Sequence, residues 1–457
     1  LCGFKAIRWY RRFFTDPVAA LCRAYQSFGP VLPLGDVVAR RRRRLRIAVL
    51  GPEYNRIVLG KSELFRTTGQ MIVGPNGSAL RRLRYGLTRM TGELHLQQRR
   101  LVLPPLQRNA VEAYGAQTAA IIDAYLSERR SGEIVDIWRM MRRLTLRIAS
   151  ALLFDLQNPA QAAALGGGIE RLLDKNFSTG VWLMPLNLPG TPYRGLLKEA
   201  ERLEKVILDL VKDNSDRGGN DLFTILIQAC RENRAGMTPA VLVGQMTILL
   251  AASYETTTNA LTWTLFLLAQ HPGVMSDLLD ELEGVLRQGL PTAELLGRMP
   301  FLDQVIKESM RILPPVPFTI RAAERSTELG GIDVSRGDRV ICSHYVTHHM
   351  PELYPEPEMF RPQRWLALNR DQYEYMPFSA GPRACIGYSF AMQVMKMTLA
   401  MLLTRFRLTV LPGARIDRTV KITMSCKYGM PMILADQDRR FEKTPVSGNI
   451  HEMVSLG

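Results

Sequence analysis

Ten consecutive residues, Phe378-Ser379-Ala380-Gly381-Pro382-Arg383-Ala384-Cys385-Ile386-Gly387, carry the most distinctive chemistry in this chain. A lone cysteine among apolar neighbours is ordinarily a small buried hydrophobe. The surroundings of Cys385 predict more. Glycines on both sides lack a Cβ and let the backbone approach a flat ligand closely. Arg383 sets a fixed positive charge beside the thiol, and a helix predicted to open at Cys385 turns its positive dipole end toward the sulfur. Both effects favour thiolate over thiol, and a thiolate is the form that binds iron.

Further constellations fall on predicted helices. Midway along an apolar segment stands Ala252-Ser253-Tyr254-Glu255-Thr256-Thr257. The plain reading of Thr256 is a hydroxyl bonded back to a helical carbonyl. Glu255 stands out, because an unpaired carboxylate in a buried helix is costly and such groups cluster at functional sites. Glu308 and Arg311, three apart, share one helix face and can pair, as exposed helices often do to little effect. His95 and Arg99 lie four apart, where surface solvation is the ordinary expectation.

The cysteine segment resembles the haem-binding loop of the cytochrome P-450 superfamily, Phe-x-x-Gly-x-Arg-x-Cys-x-Gly, at every fixed position. The resemblance runs from Asp16-Pro17 to about Leu434 with all motifs in family order. It implies Cys385 as the axial thiolate on haem b, a ligand that favours O–O cleavage, with Phe378, Gly381, Arg383 and Gly387 shaping the cofactor loop. It also implies Glu255 and Thr256 as the acid and alcohol that deliver protons during oxygen activation. His95, Arg99, Arg321 and Arg383 are implied as partners of the haem propionates. Glu308, Arg311 and Arg364 become a structural triad behind the haem, although Gln363 stands where a glutamate is usual. Ser253 and Gln393 likewise depart from the family's glycine and glutamate. The implied fold is mainly α with a smaller β region, a long central helix over the haem and the cysteine loop beneath it. The implied reaction is monooxygenation, with electrons from NAD(P)H arriving through a separate redox partner. A haem-thiolate peroxygenase, an isomerase or a non-catalytic haem sensor would have less need of the Glu255–Thr256 pair.

The elements that position these residues are legible in outline. Short apolar runs from Gly29 to Leu59 read as strands, interrupted by Arg40 to Arg44. Helical patterns follow over Ala110–Glu128, Ile134–Phe154, Tyr193–Asp213 and Thr238–Gln270. The last has Thr238 as a cap, Pro239 in its first turn and His271-Pro272-Gly273 as a stop. At 1.5 Å per residue it spans about 50 Å, enough to cross a domain. Strands return over Pro315–Ile341, a helix runs from about Cys385 to Phe406, and Leu408–Leu434 reads as strands. One domain is expected over residues 1–436, with a loose polar tail over 437–457.

Composition bounds the rest. Apolar residues are 46% and charged residues 22%, as in ordinary globular proteins. The six cysteines are scattered singly, which suits a reducing compartment and gives no structural zinc motif. The segment Val241–Ala269 holds Gln245, Glu255 and Asn259, so a buried helix is expected rather than a membrane span. A cytoplasmic monomer is expected, with room left for an anchor upstream of Leu1. The net charge of +16 would suit an acidic ferredoxin or flavodoxin-type donor with its reductase. Nucleic acid is not expected, because no aromatic residues interleave the arginine run. The substrate is expected to be an apolar small molecule, facing Met71–Tyr85, Asn176–Leu188, Leu249–Ser253, Val316–Thr319 and Tyr428–Met430.

Overall fold

The computed structural model describes residues 12–456 apart from 14, 40, 41, 70, 215–217, 287 and 288, and omits the side chains of 35–45. Its organising element is the helix Pro239–Gln270. Thr238 Oγ1 accepts from the Val241 N–H at 3.3 Å, which satisfies one of the free donors at the helix start. Nearly all of the helix is buried, as its apolar sequence requires. It packs against the helices Ile137–Leu153, Pro300–Ile312 and Tyr388–Arg405, and together they build the main core.

A five-stranded sheet flanks this core in the order β1 (Val31–Ala39), β2 (Arg42–Val49), β8 (Arg339–Ser343), β5 (Phe318–Ala323) and β3 (Phe65–Thr67). Only the β2–β8 pair is parallel. β4 (Ile134–Asp136), β12 (Pro431–Asp436) and β9 (Phe406–Val410) form a second sheet, centred on β12. Two hairpins complete the β region, β6 (Thr327–Leu329) with β7 (Ile332–Val334), and β10 (Arg418–Val420) with β11 (Met424–Cys426). The α-rich fold with small sheets agrees with the expectation.

Several local readings change. Residues 52–59, expected as strand, form the helix Pro52–Gly60, with Pro52 in its first turn and Asn55, Val58 and Leu59 buried at helical spacing. The expected helix Ala110–Glu128 is divided at Tyr114 into Arg108–Ala113 and Gly115–Ser127. The tail is not loose. Ile450, Met453 and Val454 join the main core, and Ser455 bridges to Met359. Its apolar residues are too few for a sequence pattern but enough to anchor it. Within the arginine run, Arg42 to Arg44 lie in β2, while Arg40 and Arg41 fall outside the described residues.

No described helix is long and apolar enough to cross a membrane.

Candidate active site

The cysteine loop is held by a Cys385 N–H donated to Phe378 O at 2.9 Å. The helix after it begins at Tyr388 with Gly387 as cap, three residues later than expected. The sulfur offers an accessible face, while protein enclosing its other sides pushes the thiol pKa up. The Gly387 N–H, donated to the sulfur, and the nearby Arg99 charge oppose that rise without cancelling it. Arg99, rather than the expected Arg383, is therefore the cation that acts on the thiol. Its Nη1 also donates to Ala384 O at 3.0 Å. Arg383 turns instead to the preceding loop, where Nη2 donates to Met90 O at 2.6 Å.

The two glycines differ in their protein surroundings. Gly381 has φ +69°, and a Cβ there would lie 2.6 Å from Leu59 O. It is needed for the close approach of the cysteine loop to the helix Pro52–Gly60. A Cβ on Gly387 would sit 3.9 Å from Cys385 Sγ, an ordinary contact. Phe378 packs edge-on against Tyr388 with centroids 4.8 Å apart.

Between Val241 and Gln270 the central helix is buried except at Ile248, Ala251, Ala252, Ser253, Glu255 and Thr256. Residues 248, 251, 252, 255 and 256 follow the three-and-four spacing of one helix face. The acid and alcohol of the motif thus lie on the stretch that opens onto accessible space. Their side chains part company, however. Thr256 Oγ1 donates to Ala252 O at 3.1 Å, and Ser253 Oγ donates to Leu250 O at 2.8 Å. Glu255 is not unpaired. Its Oε1 accepts from Thr423 Oγ1 at 3.1 Å, in the turn between β10 and β11. Burial still raises the Glu255 pKa, opposed by Arg142, the Thr423 hydrogen bond and Lys421.

His95, Arg99, Arg321 and Arg383 gather into one electrostatic group, although they come from the helix Gly92–Val102, β5 and the cysteine loop. His95 and Arg321 are each 4% exposed. Burial first, then Arg383 and Arg99, lowers His95 to about 4, so its imidazole is neutral near pH 7. Burial, Arg321 and Arg99 lower Arg383 to about 10. Arg321 Nη1 donates to Thr67 Oγ1, while its buried Nε has no protein acceptor. No carboxylate forms a salt bridge with this group among the described residues. Buried cations without acids are costly, and a dianionic ligand with an apolar body would relieve that cost. The residues present therefore fit haem with its propionates.

Glu308, Arg311 and Arg364 do form a buried network. Arg311 donates to both Glu308 oxygens at 2.9 and 3.0 Å, and Arg364 Nε donates to Oε1 at 2.8 Å. The Trp365 indole adds a bond to Oε2 at 3.0 Å. Gln363 is exposed, so its replacement of a glutamate leaves this core intact.

Other positioning residues escaped the sequence reading. Gln245 Oε1 accepts from the Leu87 N–H at 3.0 Å, and its Nε2 donates to Gln98 Oε1 at 2.6 Å. Gln98 Nε2 continues to Ala235 O at 2.7 Å. This amide relay fixes the helix carrying His95 and Arg99 against the central helix. A Cβ on Gly86 would lie 2.7 Å from Gly244 O, so backbone meets backbone there. Gln245 was visible only as a polar residue in an apolar segment, with nothing to name its partners.

The fold and the loop define a class: α-rich enzymes that present a single cysteine thiolate to a large anionic cofactor. The family model described as Cytochrome P450 matches residues 19–427. The cytokinin hydroxylase of Arabidopsis thaliana is 30% identical, over 77% of this chain and 72% of its own length. Cyclooctat-9-en-7-ol 5-monooxygenase of Streptomyces melanosporofaciens is 28% identical, over 85% and 90%. The solved structure of retinoic acid bound cyanobacterial CYP120A1 superposes with a TM-score of 0.80 at 27% identity, covering 93% of this chain and 96% of that one. The chain belongs to the cytochrome P450 family. It is a haem-dependent monooxygenase that uses haem b and draws electrons from NAD(P)H through redox partners.

Proposed function

We propose that the chain hydroxylates or epoxidises an apolar small molecule of the terpenoid, steroid, fatty acid or polyketide class, with Cys385 as the axial ligand. The observation that carries this reading is the Cys385 loop, where an accessible sulfur meets the Gly387 N–H and the Arg99 charge. Bound haem supplies oxygen activation, in which O2, two electrons and two protons give one oxygen atom to the substrate and one to water. The protein's part is to hold the ligand and move the protons. Gly387 and Arg99 stabilise the thiolate. His95, Arg99, Arg321 and Arg383 would hold the propionates, with the His95 ring N–H as a donor.

The helix 248–256 supplies the substrate-facing surface and the proton route. Thr256 can exchange its Ala252 bond for an ordered water. Glu255, whose raised pKa makes it a better proton carrier near neutrality, can swing from Thr423 toward that water. The relatives' names, a cyclooctat-9-en-7-ol monooxygenase and a retinoic acid complex, support an apolar carbon skeleton as substrate class.

Thr256→Ala should consume reductant at nearly the wild-type rate while product falls roughly tenfold or more. Equal product per reductant in both proteins would remove the proton role. Cys385→Ser should lose the thiolate signature of the carbon monoxide adduct, and its survival would remove the ligand assignment. Arg100 is exposed on the helix that carries Arg99, and the net charge is +16. These features support an acidic ferredoxin or flavodoxin-type donor docking on the cysteine side. Turnover with such a donor should slow as ionic strength rises.

A further inference from the structure

A second pair of enclosed cations lies next to the proposed propionate set, since Arg383 bonds Leu87 O and Met90 O on either side of Arg89 and Arg321 bonds Thr67 near Gly69. Arg84 is 6% exposed, and burial together with Arg89 lowers it to about 9. It stays protonated at neutral pH, as arginine does in proteins. Arg89 is lowered by burial first and then by Arg66 and Arg81. A Cβ built on Gly69 would lie 2.7 Å from Arg89 Nη1 and 3.2 Å from Arg84 Nη2. Both guanidinium tips therefore converge on one small space beside a residue that contributes no side chain. Arg84 Nη1 donates to Ile72 O, but the buried Arg89 Nη1 has no acceptor. No carboxylate pairs with either arginine among the described residues, whereas nearby Arg66 is neutralised by Glu324 at 2.9 Å.

The loop that carries the pair is held at several points. Gly86 packs on the central helix, Gln245 holds the Leu87 N–H, and Arg383 holds Met90 O, so the loop between the arginines is clamped. Ile72, whose carbonyl takes Arg84, donates its N–H to Asn176 Oδ1 at 3.0 Å. Asn176 O in turn accepts from Trp182 Nε1 at 2.8 Å. Beyond Trp182 the chain exposes Leu183, Met184, Leu186 and Leu188. Two hydrogen bonds through Asn176 thus link the carbonyl-bearing residue that takes Arg84 to the segment that exposes these apolar side chains.

We propose that Arg84 and Arg89 form the carboxylate-binding end of the substrate site, so that the enzyme takes an apolar monocarboxylic acid. This deepens the monooxygenase reading and rests on it. Two convergent guanidiniums suit a planar carboxylate, whose binding would satisfy the open donor and relieve the like-charge contact. The acid end would be held at this loop, and oxidation would fall on carbon remote from the carboxyl group.

The test uses haem-loaded protein and two probe pairs, palmitate with methyl palmitate and abietate with methyl abietate, titrated by the shift of the Soret band. For at least one pair, the acid should bind wild type roughly tenfold to a hundredfold more tightly than its ester. In Arg89→Gln and Arg84→Gln that ratio should fall toward one, while Arg89→Lys should keep part of it. Equal affinities in wild type, an unchanged ratio in the variants, or binding of neither acid would overturn the proposal. So would loss of haem from both glutamine variants, since the arginines would then serve the cofactor. A normal thiolate spectrum accompanying equal affinities would sink this inference alone, and a missing thiolate spectrum would sink the underlying reading instead.

Discussion

Around Glu308, two guanidiniums and an indole N–H converge on one carboxylate, and the remaining arginine donors reach the carbonyls of His348, Pro355, Glu356 and Met359. Around Arg321, three guanidiniums and a neutral imidazole meet with no carboxylate salt-bridged to them among the described residues. Both groups are enclosed, and both come from distant parts of the chain. The first is electrostatically self-sufficient and holds the helix Pro300–Ile312 against the segment around Arg364. The second has no internal acid to balance it among the described residues, which is what the proposed propionate role would use. Buried charge satisfied internally marks framework, and buried charge left open marks a binding site.

The sharpest attempt to break this contrast removes the centre of each group. Glu308→Leu leaves Arg311 and Arg364 buried without their acid and should cost about 3–5 kcal/mol. Urea unfolding would measure it, and a cost under about 1 kcal/mol would end the framework role. Arg321→Gln should act in the opposite sense on the haem-free protein, stabilising it slightly by relieving repulsion. Haem affinity should meanwhile fall roughly tenfold or more, read by haem transfer to apomyoglobin. Equal destabilisation by both substitutions would erase the distinction.

Acid provides a smaller probe. Burial lowers His344 to about 4 and His349 to about 3, so both are neutral in the folded protein. The unfolded chain takes up protons on them below about 6.5. Their depressed folded pKa values contribute stability that is present above that pH and lost as pH falls toward 4. His349→Gln should flatten the dependence of melting temperature on pH across that window, and an unaltered slope would count against a buried neutral imidazole. The smallest effect is expected at Glu255, whose pKa is raised. The folded state holds that proton longer than the unfolded chain, so stability falls as pH rises above the ordinary carboxylate range. Glu255→Gln should therefore melt slightly higher at pH 8 than wild type, although it slows turnover.

Much of the site was legible because its chemistry is local in sequence. The residues around Cys385 lie in one short loop, Glu255 and Thr256 are adjacent, and Glu308 and Arg311 are a turn apart. The same locality misled in detail. Arg383 looked like the cation beside the thiol because it is two residues away, yet folding sends it to Met90 and brings Arg99 from a distant helix. Gly381 also packs closely on Leu59 O, a second demand for glycine that the loop sequence did not show. Glu255 looked unpaired because Thr423 lies 168 residues later.

Periodicity and capping by themselves determined the long central helix and the mostly helical middle of the chain, and local motifs resembling a known family singled out the cysteine loop and the acid–alcohol pair. These depend on interactions within a few residues, where chain connectivity fixes who meets whom. Tertiary structure alone decided which cation faces the sulfur, that the tail packs, that Gln245 and Gln98 form a relay, and that Arg84 and Arg89 converge over Gly69. Each of those rests on burial and on electrostatic contacts between groups far apart in the chain. Desolvation, which gives such contacts their strength, exists only once the core has closed.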